Sequence, residues 1–342
     1  MKQYLSDTLL FLLPVLLYAV VGIALFLSLD PFRVVHQYQN YSYPVATLNR
    51  EFISTETFLK NYNKYHYNSF IFGSSRSNAF KPSEWKNYLQ PNDSPFSFDA
   101  SGETVFGIRN KLTFLHKKGA AISNALVILC HNVAFDERNT KTDSHIYISH
   151  PAISGGSYID YYLVFVKDFF NPKFLYHYLR YFFTRQFSPG TSLYIMFSRI
   201  SFNPITNEVL YDDLDHELSI TPRHYYKNKA AVFYPSPGQR TDTANLIQPR
   251  HVQMLHDIKN IFERHHTDYK IIISPLYDQV KFSTADQQIL HILFGNRLYD
   301  FSGENEFTCQ IQNYYEESHY RPHVANAILD SIYHCQTTFP PK

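Results

Sequence analysis

The chain reads as a three-layer α/β/α domain built on a parallel sheet, set behind an N-terminal transmembrane helix and interrupted by a helical insertion. Three observations predict this. Five short apolar, β-rich runs occur at residues 69–72, 96–98, 125–130, 269–274 and 298–301, most of them closed by Gly, Ser or Asn. Amphipathic helical patterns at 105–117, 251–265 and 321–332 lie between or after them, and strands alternating with helices imply a parallel sheet covered on both faces. Finally, residues 8–29 contain no charge and are bounded by Asp7 and Asp30.

Taken in order, residues 8–29 are long enough to cross a bilayer core of roughly 30 Å at about 1.5 Å per residue. Pro14 lies within the span, where lipid-embedded helices tolerate proline. The run ends in Leu27-Ser28-Leu29-Asp30-Pro31-Phe32 without a small-x-small cleavage site, so an uncleaved anchor is expected rather than a signal peptide. Lys2 and the amino terminus stand against Arg33 across the span. The expected placement is a single pass through the inner, cytoplasmic membrane, with the amino terminus inside and residues 31–342 in the periplasm. Residues 30–65, rich in Tyr and Asn, read as a membrane-proximal stalk, and residues 66–338 as the main domain.

Residues 136–245 do not fit the alternation and are expected to be an insertion. Its 158–183 stretch is dense in Tyr, Phe and Leu with a break at Asn171-Pro172, which reads as two amphipathic helices. Aromatic stripes at helical spacing usually bury themselves in a core, so a helical cap is expected beside the catalytic site. A substrate-facing apolar wall and a lid touching the membrane are the alternatives. Residues 211–217, which are acidic, and 235–240, rich in Pro and Gly, read as solvated loops.

Composition excludes several functions. The formal net charge is +1 with no basic run, which argues against nucleic acid as a partner. Cys130, Cys309 and Cys335 offer neither a metal spacing nor a CxxC pair. A Cys309–Cys335 disulfide and separate buried thiols both remain open. No helical pattern carries His-x-x-x-His, and the eleven glycines are scattered without a P-loop. No metal and no cofactor is therefore expected.

What remains is serine chemistry. Phe70-Ile71-Phe72 runs into Gly73-Ser74-Ser75-Arg76-Ser77, an apolar strand entering a tight turn that presents hydroxyls. Far downstream, Glu316-Glu317-Ser318-His319 sets a carboxylate three residues before a histidine, and Pro322 follows as the opening of a last helix. A serine hydroxyl is a poor nucleophile unless an imidazole takes its proton, and the imidazole needs an acceptor at Nδ1 to hold it. On a turn, Glu316 at i−3 can reach His319 Nδ1 and leave Nε2 for Ser75, with Glu317 a lesser substitute. The competing reading is that Ser74, Ser75 and Ser77 only cap the following helix.

In motif order these blocks resemble the SGNH (GDSL-like) hydrolase superfamily, and within it the membrane-anchored extracytoplasmic proteins that act on envelope glycans and their acyl substituents. The resemblance covers most of residues 66–334 through a few short blocks and implies a parallel, flavodoxin-like sheet. It makes Ser75 the nucleophile, with Ser74 standing where the family often has Asp. Gly102, in Ser101-Gly102-Glu103, matches the glycine whose N–H faces the oxyanion. Cys130-His131-Asn132-Val133 matches the Gly-x-Asn-Asp block at Asn132 alone, so His131 is a rival there. The implied catalytic set is Ser75, His319 and Glu316, and the implied oxyanion hole is Ser75 N–H, Gly102 N–H and the Asn132 amide.

Three functions follow from the resemblance. One is an esterase removing acyl groups, such as acetyl, from an envelope polysaccharide. Another is an acyltransferase or accessory protein passing an acyl group from a membrane-bound acyltransferase partner to a glycan. The third, from a different class, is a non-catalytic glycan-binding protein that keeps the fold. Reaction with a fluorophosphonate separates the third from the others.

Overall fold

The computed structural model describes residues 2–136, 144–186, 190, 191, 195, 199–233 and 238–334, with side chains from residue 10 onward. Its centre is a parallel sheet of β1 Ser69–Gly73, β2 Pro95–Ser97, β3 Asn124–Leu129, β4 Asp268–Ile273 and β5 Leu298–Asp300. The spatial order is β2-β1-β3-β4-β5, every neighbour parallel. All five apolar runs read from the sequence are strands of this sheet, within one residue at each end.

The longer helices are α1 Lys2–Leu29, α2 Arg50–Tyr65, α3 Val105–Lys117, α4 Tyr158–Phe169, α5 Pro172–Thr184, α6 Asp212–Ile220, α7 Pro222–Asn228, α8 Pro249–Arg264, α9 Thr284–Phe294 and α10 Pro322–His334. Side chains alternate across a strand, and here both faces are covered. Phe70, Phe72, Val127, Leu129, Ile271 and Ile273 share one core with Phe58 of α2, Leu112 of α3, Ile258 of α8 and Leu290 of α9. Ile71, Leu126, Ile128 and Ile272 share the other with Trp85 and with Val324, Ile328 and Leu329 of α10. Burying each such side chain is worth about 1.5–3 kcal/mol, which is why the central strands β1 and β3 are nearly all apolar rather than alternating.

α1 carries the apolar stretch Leu10–Leu29 and is long and apolar enough to cross a membrane, as either an anchor or a signal sequence. The segment beyond it, read from sequence as a membrane-proximal stalk, is packed into the folded protein. Phe32, Val34, Tyr41, Phe52 and Ile53 are buried in a second apolar core with Phe26 of α1 and with Tyr161, Phe165, Phe169, Phe174 and Tyr178 of α4 and α5. Residues 50–65 form α2, whose N-cap Asn49 accepts the Phe52 N–H and donates to His145 O at 2.6 Å and Ile148 O at 2.8 Å. The Tyr-rich composition that resembled a spacer is thus the apolar filling of a layer between α1 and the sheet.

The insertion supplies no strand to the central sheet among the described residues. Its short strands pair elsewhere, Ile200–Phe202 with Val209–Tyr211 and Arg240–Thr241 with Val280–Lys281. Its two helical pairs diverge. α4 and α5 pack at the end of α1, away from the cap position expected of them, while α6 and α7 lie against Tyr314 and Tyr315. Residues 212–217 are the start of α6, not a loop, and their acidic side chains complement the helix N-terminus. Residues 235–237 lie outside the described residues, as does Cys335, so the Cys309–Cys335 pairing does too. Among the described residues Cys309 is exposed and Cys130 buried.

Candidate active site

In a sheet of order 2-1-3-4-5 the chain reverses direction of growth between β1 and β3, and ligands bind beyond the carboxyl ends of the strands there. The residues singled out from sequence follow those ends: Ser75 after β1, Gly102 after β2 and Asn132 after β3. Gly73 closes β1 with φ +154°, and a Cβ on it would lie 2.9 Å from Ile128 O of β3 and 3.0 Å from Ser77 Cβ. Only glycine lets the chain turn there against its neighbour strand. Ser75 then opens a single 3₁₀ turn, Ser75–Ala79, whose first N–H groups have no intrahelical partner.

The carboxy-terminal block is a hairpin, not the turn into a helix that the spacing first implies. β6 Tyr314–Glu316 and β7 His319–Tyr320 run antiparallel with Glu316 opposite His319 across a two-residue turn. Side chains directly opposed on an antiparallel pair stand about 4.5–5.5 Å apart at Cβ, so the Glu-x-x-His spacing makes them cross-strand partners. His319 Nδ1 is hydrogen-bonded to Glu316 Oε1, and His319 Nε2 lies 2.7 Å from Ser75 Oγ. The Ser318 N–H donates to Glu316 Oε2 at 2.7 Å. Serine, histidine and glutamate therefore form one continuous chain of hydrogen bonds between residues 244 positions apart in sequence. Glu317 sits in the turn and makes no hydrogen bond to His319.

Burial pushes the Glu316 carboxyl up, but the hydrogen bond and charge of His319, the Ser318 N–H and the Arg76 guanidinium outweigh it and hold it below the ordinary glutamate range. Glu316 is thus an anion at neutral pH. It fixes the Nδ1–H tautomer, which leaves Nε2 with a lone pair towards Ser75.

The other two serines are structural. Ser77 is fully buried and donates to Ser74 O at 2.8 Å. Ser74 makes no capping bond with its side chain. Its Oγ lies 3.4 Å from Cys130 Sγ, which donates to Ser274 Oγ at 3.5 Å, and Ser274 Oγ is 3.2 Å from Tyr320 OH. This buried polar chain ties the ends of β1, β3 and β4 to the hairpin.

Arg76 also belongs to this candidate site, although no sequence motif marks it. It is 7% exposed and grips three acceptors: Ser318 O at 2.7 Å, Ser318 Oγ at 3.1 Å and Asn132 Oδ1 at 3.1 Å. The planar guanidinium fork suits such a multi-pronged clamp. It holds the hairpin turn to the Ser75 turn and occupies the Oδ1 acceptor of Asn132. The signal was its position one residue after Ser75, which charge counting alone does not flag. A second group of this kind is the α6–α7 buttress. Tyr225 OH donates to Tyr315 O at 2.6 Å, Tyr226 OH to Tyr314 O at 3.0 Å, and Tyr315 OH to Asp215 at 2.5 Å.

Among the proposed oxyanion donors, Gly102 sits in a turn at φ +58°, and its N–H makes no hydrogen bond within the described chain. His131, the rival to Asn132, turns elsewhere. Its Nε2 lies 3.0 Å from Asp242 and its ring packs on Phe282. Ser75 and His319 are half-buried at the surface. The roughly 500 Å³ cavity near α2, lined in part by Tyr38, Glu56, Tyr162 and Phe202, contains none of the site residues. Among the described residues no cluster of three His, Cys, Asp or Glu could hold a metal. No protein-family model matches this chain, and no curated protein matches it.

Proposed function

We propose that the protein is a serine-dependent acyl esterase of the SGNH type, carried on a membrane anchor and acting on acyl substituents of an envelope glycan. The observation that carries this reading is the Ser75 Oγ to His319 Nε2 distance of 2.7 Å, with Glu316 on Nδ1. A capping serine would spend its hydroxyl on a helix N–H; this one faces an imidazole whose tautomer is set by a carboxylate.

The chemistry follows from these contacts. As Ser75 Oγ bonds to the ester carbonyl carbon, its proton passes to His319 Nε2, and Glu316 stabilises the imidazolium. The negative charge moves to the carbonyl oxygen, where Ser75 N–H, Gly102 N–H and Asn132 Nδ2 are the donors. One such donor is worth about 3 kcal/mol of barrier. Collapse expels the glycan oxygen, which takes the proton from Nε2 and leaves a seryl ester. Water, deprotonated by the same nitrogen, then releases the acid. A half-exposed site outside the cavity near α2 suits a substituent on a bulky polymer better than a small engulfed ligand.

The test is to treat the full-length protein in detergent with a fluorophosphonate and map the adduct by mass spectrometry. Labelling at Ser75 that disappears in Ser75→Ala and in His319→Ala is expected. Labelling at Ser77, or none in the folded protein, favours a glycan-binding protein instead. Release of free acid from acetylated polysaccharide, against appearance of the acyl group on an added glycan, separates hydrolysis from transfer.

A further inference from the structure

We propose that the α4–α5 helical hairpin is a second membrane element, which dips its tip and exposed apolar stripe among the acyl chains of the leaflet next to the folded domain. The inference rests on α1 being a retained anchor. The inward face of α4, Tyr161, Val164, Phe165 and Phe169, is buried in the second core. Its opposite face is also apolar: Tyr158 is 53% exposed, Ile159 74%, Tyr162 37% and Leu163 55%. A helix apolar on both faces is not designed for water on one of them.

The stripe runs from exposed Ile159 and Leu163 to half-buried Val166 and Phe170 at helical spacing, and its last member touches α1. Phe170 rings with Tyr18 at 5.9 Å between centroids, and a Cβ on Gly22 would collide with the Phe170 ring. Gly22 is seven residues inside the end of the apolar stretch Leu10–Leu29, about 10 Å along the helix at 1.5 Å per residue. Interfacial helices bury their apolar faces about 5–10 Å into the headgroup and acyl boundary. The hairpin tip is therefore held by α1 at the depth such helices occupy, and the exposed stripe is continuous with the lipid-facing surface of α1.

The polar groups agree. Exposed Lys167 and Lys173 flank the tip, with Arg180 and Arg185 further along α5, and long basic side chains reach from such positions to headgroups. Tyr176, Phe182 and Phe183 of α5 are exposed as well, in the manner of an interfacial aromatic belt. Asp168 is not left bare in this setting, since it accepts from His145 Nδ1 at 2.6 Å.

The experiment uses the full chain in nanodiscs of phosphatidylethanolamine and phosphatidylglycerol. Nitroxide labels are placed singly at Leu163→Cys, Phe183→Cys, Leu13→Cys and Lys227→Cys in a Cys309→Ser, Cys335→Ser background, and collision with oxygen is compared with collision with a nickel chelate. Oxygen exceeding nickel at Leu163 and Phe183, as at Leu13 and unlike Lys227, supports the proposal. Free nickel access at Leu163 with Leu13 in lipid overturns it while leaving the anchor intact. Loss of both reagents at Leu163 means a protein partner covers the stripe, and also overturns it. Nickel access at Leu13 overturns the anchor reading itself. As a check that needs no variant, a diazirine-bearing phospholipid should label peptides from residues 158–184 in the wild-type chain, and absence of such adducts counts against the proposal.

Discussion

Replacing Glu316 by Gln isolates what the carboxylate does for His319. Both Glu316 oxygens are engaged, Oε1 with His319 Nδ1 and Oε2 with the Ser318 N–H. Glutamine offers one acceptor and one donor. If its oxygen stays on Ser318, its NH₂ faces Nδ1 and pushes the imidazole proton to Nε2, against Ser75. If its oxygen takes the imidazole, NH₂ opposes the Ser318 N–H. Either mismatch costs about 1–3 kcal/mol, and exchanging a charge-assisted bond for a neutral one adds about 1 kcal/mol. The sum of about 2–4 kcal/mol corresponds to roughly 30- to 900-fold in rate. It falls short of the ~10⁴-fold loss for a fully buried triad carboxylate, because the Glu316 side chain is 26% exposed and partly screened. The assay is the second-order rate of fluorophosphonate labelling at Ser75, with His319→Ala expected to lose more. Labelling of Glu316→Gln at the wild-type rate would refute the orienting role. Stability gives a second sign to check. Because folding holds Glu316 below its ordinary range, the carboxylate stabilises the protein above that range, and this contribution is lost as pH falls through the folded value. Glu316→Gln should therefore be less stable than wild type at neutral pH, with the gap closing in acid, as read by thermal unfolding across pH.

Three further outcomes follow from neighbouring geometry. Arg76→Met should slow Ser75 labelling by roughly 10- to 100-fold, since it frees both Ser318 and Asn132 and hydrogen bonds to a charge are worth about 1.5–3 kcal/mol; Arg76→Lys, lacking the fork, should not restore the wild-type rate. Gly73→Ala should lower stability by about 1–3 kcal/mol in urea unfolding, because its Cβ has nowhere to go between β1 and β3. Lys111→Met strands Glu103, its fully buried ion-pair partner, and should cost about 3–5 kcal/mol, whereas Glu103→Leu with Lys111→Met should recover much of it.

The sheet was legible because its three central strands are buried almost throughout and so stand out as mainly apolar runs. Ser75, Glu316 and His319 were legible because a hydroxyl on a tight Gly turn and a carboxylate three residues before a histidine are residue types at short local spacings. The apolar run of α1 was equally plain. Other features depended on contacts between distant segments, which no local pattern carries. Residues 30–65 look like a spacer until Phe32, Phe52 and Phe58 find their aromatic partners in α4, α5 and β2. The Glu-x-x-His spacing fits a helical turn or a hairpin, and only the pairing of β6 with β7 decides between them. Arg76 is one charge among thirty-one lysines and arginines in sequence; the fold makes it the clamp between two loops. Burial and periodicity, being local, settled the layers. Which surfaces meet, and hence where α4 and α5 lie and what Arg76 holds, was decided by tertiary packing across gaps of tens to hundreds of residues.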